Sequence, residues 1–155
     1  MNAAPGSGVG SGAPFDVDAF LARPLTARLA TQGPTVRPVW YLWEGGAFWI
    51  LTGPWSRLPA HLRKDPAVAL AVDSCDLGTG EVLQVLARGR AELLPFDAER
   101  ARRKLTRYLG PRVETWDGRF RDHLLTGPGE TGTRWARIRP DRLVAEDLGF
   151  RPADG

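Results

Sequence analysis

A chain of 155 residues, 43% hydrophobic and 25% charged, has the composition of one soluble domain that can build its core without disulfides or a structural metal. Its net charge of +3 comes with no Lys/Arg-rich block and no nucleic-acid motif, which argues against nucleic acid as a partner. Cys75 stands alone, no Cys/His group has metal-ligand spacing, no apolar run reaches membrane-spanning length and no signal peptide is evident, so the cytoplasm is the expected compartment.

Met1 to Pro14 is Gly, Ser, Ala and Pro with few large side chains, which predicts a flexible tail over 1–14 ahead of a single domain over 15–150. Phe15 to Leu21 reads as a short amphipathic helix lying across a barrel end. Leu25 to Thr31 alternates and ends in the turn Gln32-Gly33-Pro34. Thr35 to Trp43 reads as a second strand, with Pro38 marking an edge or bulge, and Gly45-Gly46 as the tight turn into a third, Ala47 to Thr52. Ser56 to Arg63 reads as a short helix capped by Ser56 and closed by Asp65-Pro66.

Val68 to Val72 is a fourth strand, Cys75 to Gly80 a loop, and Glu81 to Leu94 a long fifth strand kinked at Gly89. Phe96 to Leu109 is the best helix, with acids in its first turn, bases later and Gly110-Pro111 as the stop. Its residues Arg100, Arg103, Lys104 and Arg107 read as a solvated face. Trp116 to Leu125 reads as another short helix, and Thr133 to Ile138 with Arg142 to Glu146 as a final strand pair. Many strands, short turns and a late helix predict a mostly β chain with inserted helices, folded as a small antiparallel barrel.

The stretch from Arg37 to Leu62 carries the chemistry. Two aromatic-rich runs flank Gly45-Gly46, and the second ends at Thr52 with Ser56-Arg57 just beyond. A hairpin that delivers a Thr, a Ser and an Arg to one end suits a phosphate, since Arg donates two parallel charge-assisted hydrogen bonds. The flat apolar face beside it suits a ring, so a phosphorylated planar cofactor such as a flavin fits this layout. Trp40, Trp43 and Trp49 read as packing groups. His61 and His123 read as surface residues. No acid/base triad and no dinucleotide fingerprint is present, and Gly127 to Thr133 reads as a loop that can edge a substrate opening.

The series L-A-T at Leu29, R-P-V-W-Y-L-W at Arg37, F-W-I-L-T-G-P at Phe48, S-R at Ser56 and D-P-x-V-A-L-A-V-D at Asp65 resembles the pyridoxamine 5′-phosphate oxidase-like flavoproteins, the split β-barrel proteins that bind FMN or deazaflavin. The resemblance runs from about Phe15 to Asp147. It implies a homodimer with a cofactor groove between subunits and a small-molecule substrate. By position it implies that Arg37, Pro38, Val39 and Trp40 lie along the ring, that Ile50, Leu51 and Thr52 border ring and sugar-like chain, and that Ser56 and Arg57 hold the phosphate. It also implies cofactor contacts from Gln84, Trp135 and Arg137. Leu58 stands where the family usually carries Lys. The resemblance implies an oxidoreductase using coenzyme F420 or FMN. A non-catalytic binder of flavin, deazaflavin or haem, and an FMN-dependent pyridoxamine 5′-phosphate oxidase, are the alternatives.

Overall fold

The computed structural model describes residues 12–125, 127, 129 and 131–154. Most of the expected tail, and part of the loop expected at an opening, lie outside the described residues. The strands are β1 (Ala27–Thr31), β2 (Thr35–Val39), β3 (Leu42–Glu44), β4 (Ala47–Thr52), β5 (Ala67–Asp76), β6 (Glu81–Pro95) and β7 (Arg134–Asp147). The helices are α1 (Val17–Leu21), α2 (Leu58–Lys64), α3 (Ala98–Leu109) and α4 (Gly118–Leu125), with a 3₁₀ turn at Val113–Thr115.

All the strand pairs are antiparallel, and the sheet runs β2-β1-β5-β6-β7-β4-β3. Its two edge strands, β2 and β3, are consecutive in sequence. The expected single strand from Thr35 to Trp43 is therefore two: the chain leaves one sheet edge at Val39 and joins the other at Leu42. The sheet curls to make this possible, giving a half-barrel. Its concave face holds Leu29, Phe48, Ile50, Leu70, Val72, Val85 and Ile138, and Val17, Phe20 and Leu21 of α1 join that core.

The long strands differ from expectation in informative ways. β5 continues through Ser74 and Cys75 to Asp76 because Ser74 turns inward and accepts from the Leu83 N–H, while donating to Glu81 at 2.9 Å. The last two strands are one, β7. Arg88 pairs with Arg142 and Gly89 with Pro140, so Asp141 is an extra residue bulged out of the ladder, and Pro140 is tolerated there. A Cβ on Gly89 would stand 2.6 Å from the Arg139 carbonyl oxygen, so the kink needs glycine.

The basic side of α3 is not a solvated face. Asp97 caps the helix, accepting from the Glu99 and Arg100 N–H groups. The Arg107 guanidinium donates to the carbonyls of Leu21, Ala22 and Arg23 at 3.1, 2.9 and 2.7 Å, and to that of Tyr41 at 3.2 Å. It thereby satisfies the carbonyls that end α1. The Tyr108 hydroxyl accepts from the Tyr41 N–H at 3.0 Å and donates to the Leu25 carbonyl at 2.7 Å. These two residues pin the crossing from β2 to β3, whose peptide groups at Trp40–Tyr41 have left the ladder. Arg103 makes a two-bond pair with Glu44, both at 2.8 Å, holding the Glu44 carboxyl below the usual range.

Candidate functional site

The end of β4 is built by register. Leu51 faces Trp135 and Thr52 faces Arg134 across the β4–β7 ladder, so the two strands finish together. Thr52 points to the concave side, is 1% exposed, and its hydroxyl has no hydrogen-bond partner among the described residues. Thr133, fully buried just before Arg134, likewise has a hydroxyl with no partner among the described residues. Orphaned buried polar atoms are uncommon, and two hydroxyls at one strand end mark a place where water or a ligand group belongs.

The turn that follows brings Ser56 and Arg57 within a few residues of Thr52. α2 begins at Leu58, two residues later than expected, and Ser56 caps it from outside: its hydroxyl accepts from the Leu58 N–H at 3.0 Å. Arg57 is exposed and forms no ion pair among the described residues. An exposed guanidinium next in sequence to a hydroxyl-bearing residue has the chemistry to hold an anion. Leu58, where a cation was expected by resemblance, is 2% exposed and packs in the concave core, so its side chain faces away from the turn.

The other expected residues are spread over three places. Arg37 and Val39 are half-buried on the concave side of β2, Arg37 reaching Thr35 at 3.4 Å, and Pro38 is exposed on the opposite side of this edge strand. Trp40 stacks on Tyr108 with ring centres 4.4 Å apart and on Phe120 at 5.6 Å, so its ring is engaged by α3 and α4. Ile50 is core, and Leu51 is half-buried.

Trp135, expected to touch a cofactor, is fully buried in a second core with Leu42, Trp49 and Ala101, and its indole N–H donates to the Asp97 carbonyl at 3.2 Å. In this conformation it supports β4 from behind and offers no surface. Arg137 is held by Glu92 at 2.9 Å and lies beside the Trp49 ring, with Arg100 stacked on that ring at 3.5 Å. Gln84 pairs with Glu146, ten positions along β7 from Ala136, roughly 30 Å of strand. The structure thus brings Leu51, Thr52, Ser56 and Arg57 to one end of the sheet and leaves Gln84 far along it.

Sequence reasoning missed what surrounds that end. Trp55 is 61% exposed, and its ring covers Gly53 so closely that a Cβ there would meet it at 2.3 Å. His123 of α4, expected at the surface, meets Trp55 edge-to-face at 5.7 Å, and its Nε2 is buried without a partner among the described residues. Burial, and then the charge of Lys104, lower the His123 pKa. Lys104 is itself buried on α3, and burial alone lowers its pKa to about 8. A visible signal existed for Lys104: it is one of two lysines in a chain whose other bases are arginine.

Residues 15–145 match the family model described as pyridoxamine 5′-phosphate oxidase. The chain belongs to that family. Its fold is shared by solved structures. A conserved hypothetical protein from Mycobacterium tuberculosis is 21% identical at a TM-score of 0.69, covering 94% of this chain and 96% of that one. A protein named as an F420 reductase is 25% identical at 0.57, covering 84% and 97%. A haem storage protein from Vibrio cholerae is 16% identical at 0.59, covering 82% and 89%. No curated protein sequence matches the chain. The fold is thus shared by a protein named for coenzyme F420 and by one named for haem. No helix among the described residues is long and apolar enough to cross a membrane, and they hold no group of metal-ligating side chains.

Proposed function

We propose that this protein is a flavin- or deazaflavin-dependent oxidoreductase, taking coenzyme F420 or FMN and working on a small organic substrate in the cytoplasm. The observation that carries the reading is the unpaired Arg57 beside Ser56 and the orphaned Thr52 hydroxyl, at a strand end whose neighbour Leu51 is half-open. Arg57 and Ser56 bind the phosphate, Thr52 meets the sugar-like chain, and Leu51 and the β2 residues Arg37 to Val39 border the ring. The bound cofactor supplies hydride transfer, and the protein supplies position and charge.

The site is completed by a second copy of the chain. On the convex side of β2, β1, β5, β6 and β7, a concavity of about 490 Å³ with an apolar floor that includes Ala30, Ala69, Ala71 and Leu86, and with Arg28, Arg88 and Arg142 in its lining, supports a homodimer. Gln84 lies beside it on the same side, and so reaches a partner's cofactor sooner than its own.

The test is titration of the purified protein with FMN and with F420, followed by fluorescence. Arg57→Ala weakens the cofactor that binds about tenfold, the size of one partly exposed charge-assisted bond. Unchanged affinity removes Arg57 from the site. The second reading, a cofactor-binding protein without turnover, draws on Leu58: its burial leaves the turn one cation short. A stable complex that turns over no enone, quinone or pyridoxamine phosphate favours that reading.

A further inference from the structure

The ring's stacking partner is not among the residues assigned so far. Trp40 is engaged by Tyr108 and Phe120, and Trp49 and Trp135 are core. Trp55 alone of these aromatic groups stands open beside the anion turn. A single exposed apolar side chain is ordinary on a protein surface. Trp55 differs because it is held at two points: Gly53 lacks the Cβ that would displace its ring, and His123 braces it edge-on. Close to it in the chain or packed on it are buried polar atoms that have no partner among the described residues: Thr52 Oγ1 three residues before it, His123 Nε2 on the ring that touches it, and Thr133 Oγ1, whose neighbour Gly132 would bring a Cβ within 3.1 Å of Pro54. Apolar ring, orphaned polar atoms and open cation lie within the run from Thr52 to Arg57 and what packs on it.

We propose that Trp55 is the stacking wall for the cofactor's planar ring, positioned by Gly53 and His123, and that it sets affinity for the ring independently of the phosphate contacts of Arg57. This rests on the cofactor-binding reading above. An indole face against an electron-poor fused ring is a favourable offset stack, worth a factor of about three to ten in affinity. Trp55 can fill this role without a folding penalty, since its exposure leaves the core unchanged.

The experiment compares FMN with riboflavin, which has the ring and lacks the phosphate. Trp55→Ala weakens both by the same factor, about three- to tenfold, and Trp55→Phe restores most of that loss. Arg57→Ala weakens FMN and leaves riboflavin where it was. An unchanged thermal midpoint shows that the variants are folded. If the wild type binds FMN and riboflavin and Trp55→Ala binds both equally well, the wall is elsewhere and the cofactor reading survives. If Trp55→Ala weakens FMN alone, Trp55 acts through the phosphate turn and the proposal is wrong. If the wild type binds neither FMN, riboflavin nor F420, both readings fall together.

Discussion

The convex side of the sheet is two surfaces. Over β4 and β7 it carries Trp49, Leu51 and Trp135, and Ala101 of α3 and Phe96, just before the helix, pack on them. Over β1, β5 and β6 it carries Ala30, Ala69, Ala71 and Leu86 among the arginines Arg28, Arg88 and Arg142, and no helix is part of that lining. Both arise from the same alternation along continuous strands. They differ in side-chain size. Large rings reach up and interlock with a helix, whereas alanines leave a shallow concavity that only a broad, complementary surface can fill. One half of the sheet is closed from within the chain; the other is shaped to be closed from outside.

The sharpest break in that contrast is Trp135→Ala. The ring is fully buried between β7 and α3, so its removal costs about 3–5 kcal/mol, from lost burial and the cavity left behind. Urea denaturation measures it. A loss below about 1 kcal/mol would mean that α3 relaxes onto the sheet and that the two halves are less different than they look.

The same contrast shows what the sequence could and could not tell. Period-2 runs place nearly every strand, because alternation follows directly from the pleat. The crossing at Trp40–Tyr41 does not appear in that pattern: inward and outward positions continue in step while the pairing partner changes. The bulge at Asp141 hides for the opposite reason, since Pro140 reads as a strand end when the ladder simply steps around it. On α3 the helical spacing is right, but a run of Arg and Lys reads as solvated unless backbone carbonyls and a Trp face are known to lie opposite. At the site, Thr52, Ser56 and Arg57 come from consecutive chain and are legible. Trp55, His123 and Lys104 meet through tertiary packing of α3, α4 and the β4 turn, which no local spacing encodes.

A second variant tests the closed half by improving it. Lys104 keeps an ammonium in a buried place with a pKa of about 8 against an ordinary 10.5. The unfolded chain holds this proton to about pH 10.5 and the folded chain only to about 8. Between those limits the unfolded state binds more protons, so wild-type stability rises with pH from about 8 towards 10. Below pH 8 both states are charged and the cost is constant, about 3 kcal/mol at about 1.4 kcal/mol per unit. Lys104→Met is therefore more stable than the wild type at pH 7, by about 2–3 kcal/mol once its own packing is counted, and lacks the rise. Urea midpoints of both proteins at pH 7, 8.5 and 10 decide it. A wild type that is flat over that range would mean that Lys104 is already solvated or paired.

Leu86→Glu asks the corresponding question of the open half, and its effect on the fold is the smallest. The side chain is 43% exposed in one chain, so a carboxylate there changes monomer stability by no more than about 0.5 kcal/mol. In a dimer packed through this face, the same carboxylate replaces apolar contact and is buried near its own symmetry mate, and although Arg28, Arg88 and Arg142 share the lining, association weakens. Sedimentation of wild type and variant at micromolar concentration separates the cases. A dimer that persists in Leu86→Glu moves the interface off this face and removes the reason for giving Gln84, on the same face, a partner's cofactor. A monomer with an unchanged urea midpoint shows that an apolar surface can be indispensable to assembly and nearly irrelevant to folding, the reverse of the surface around Trp135.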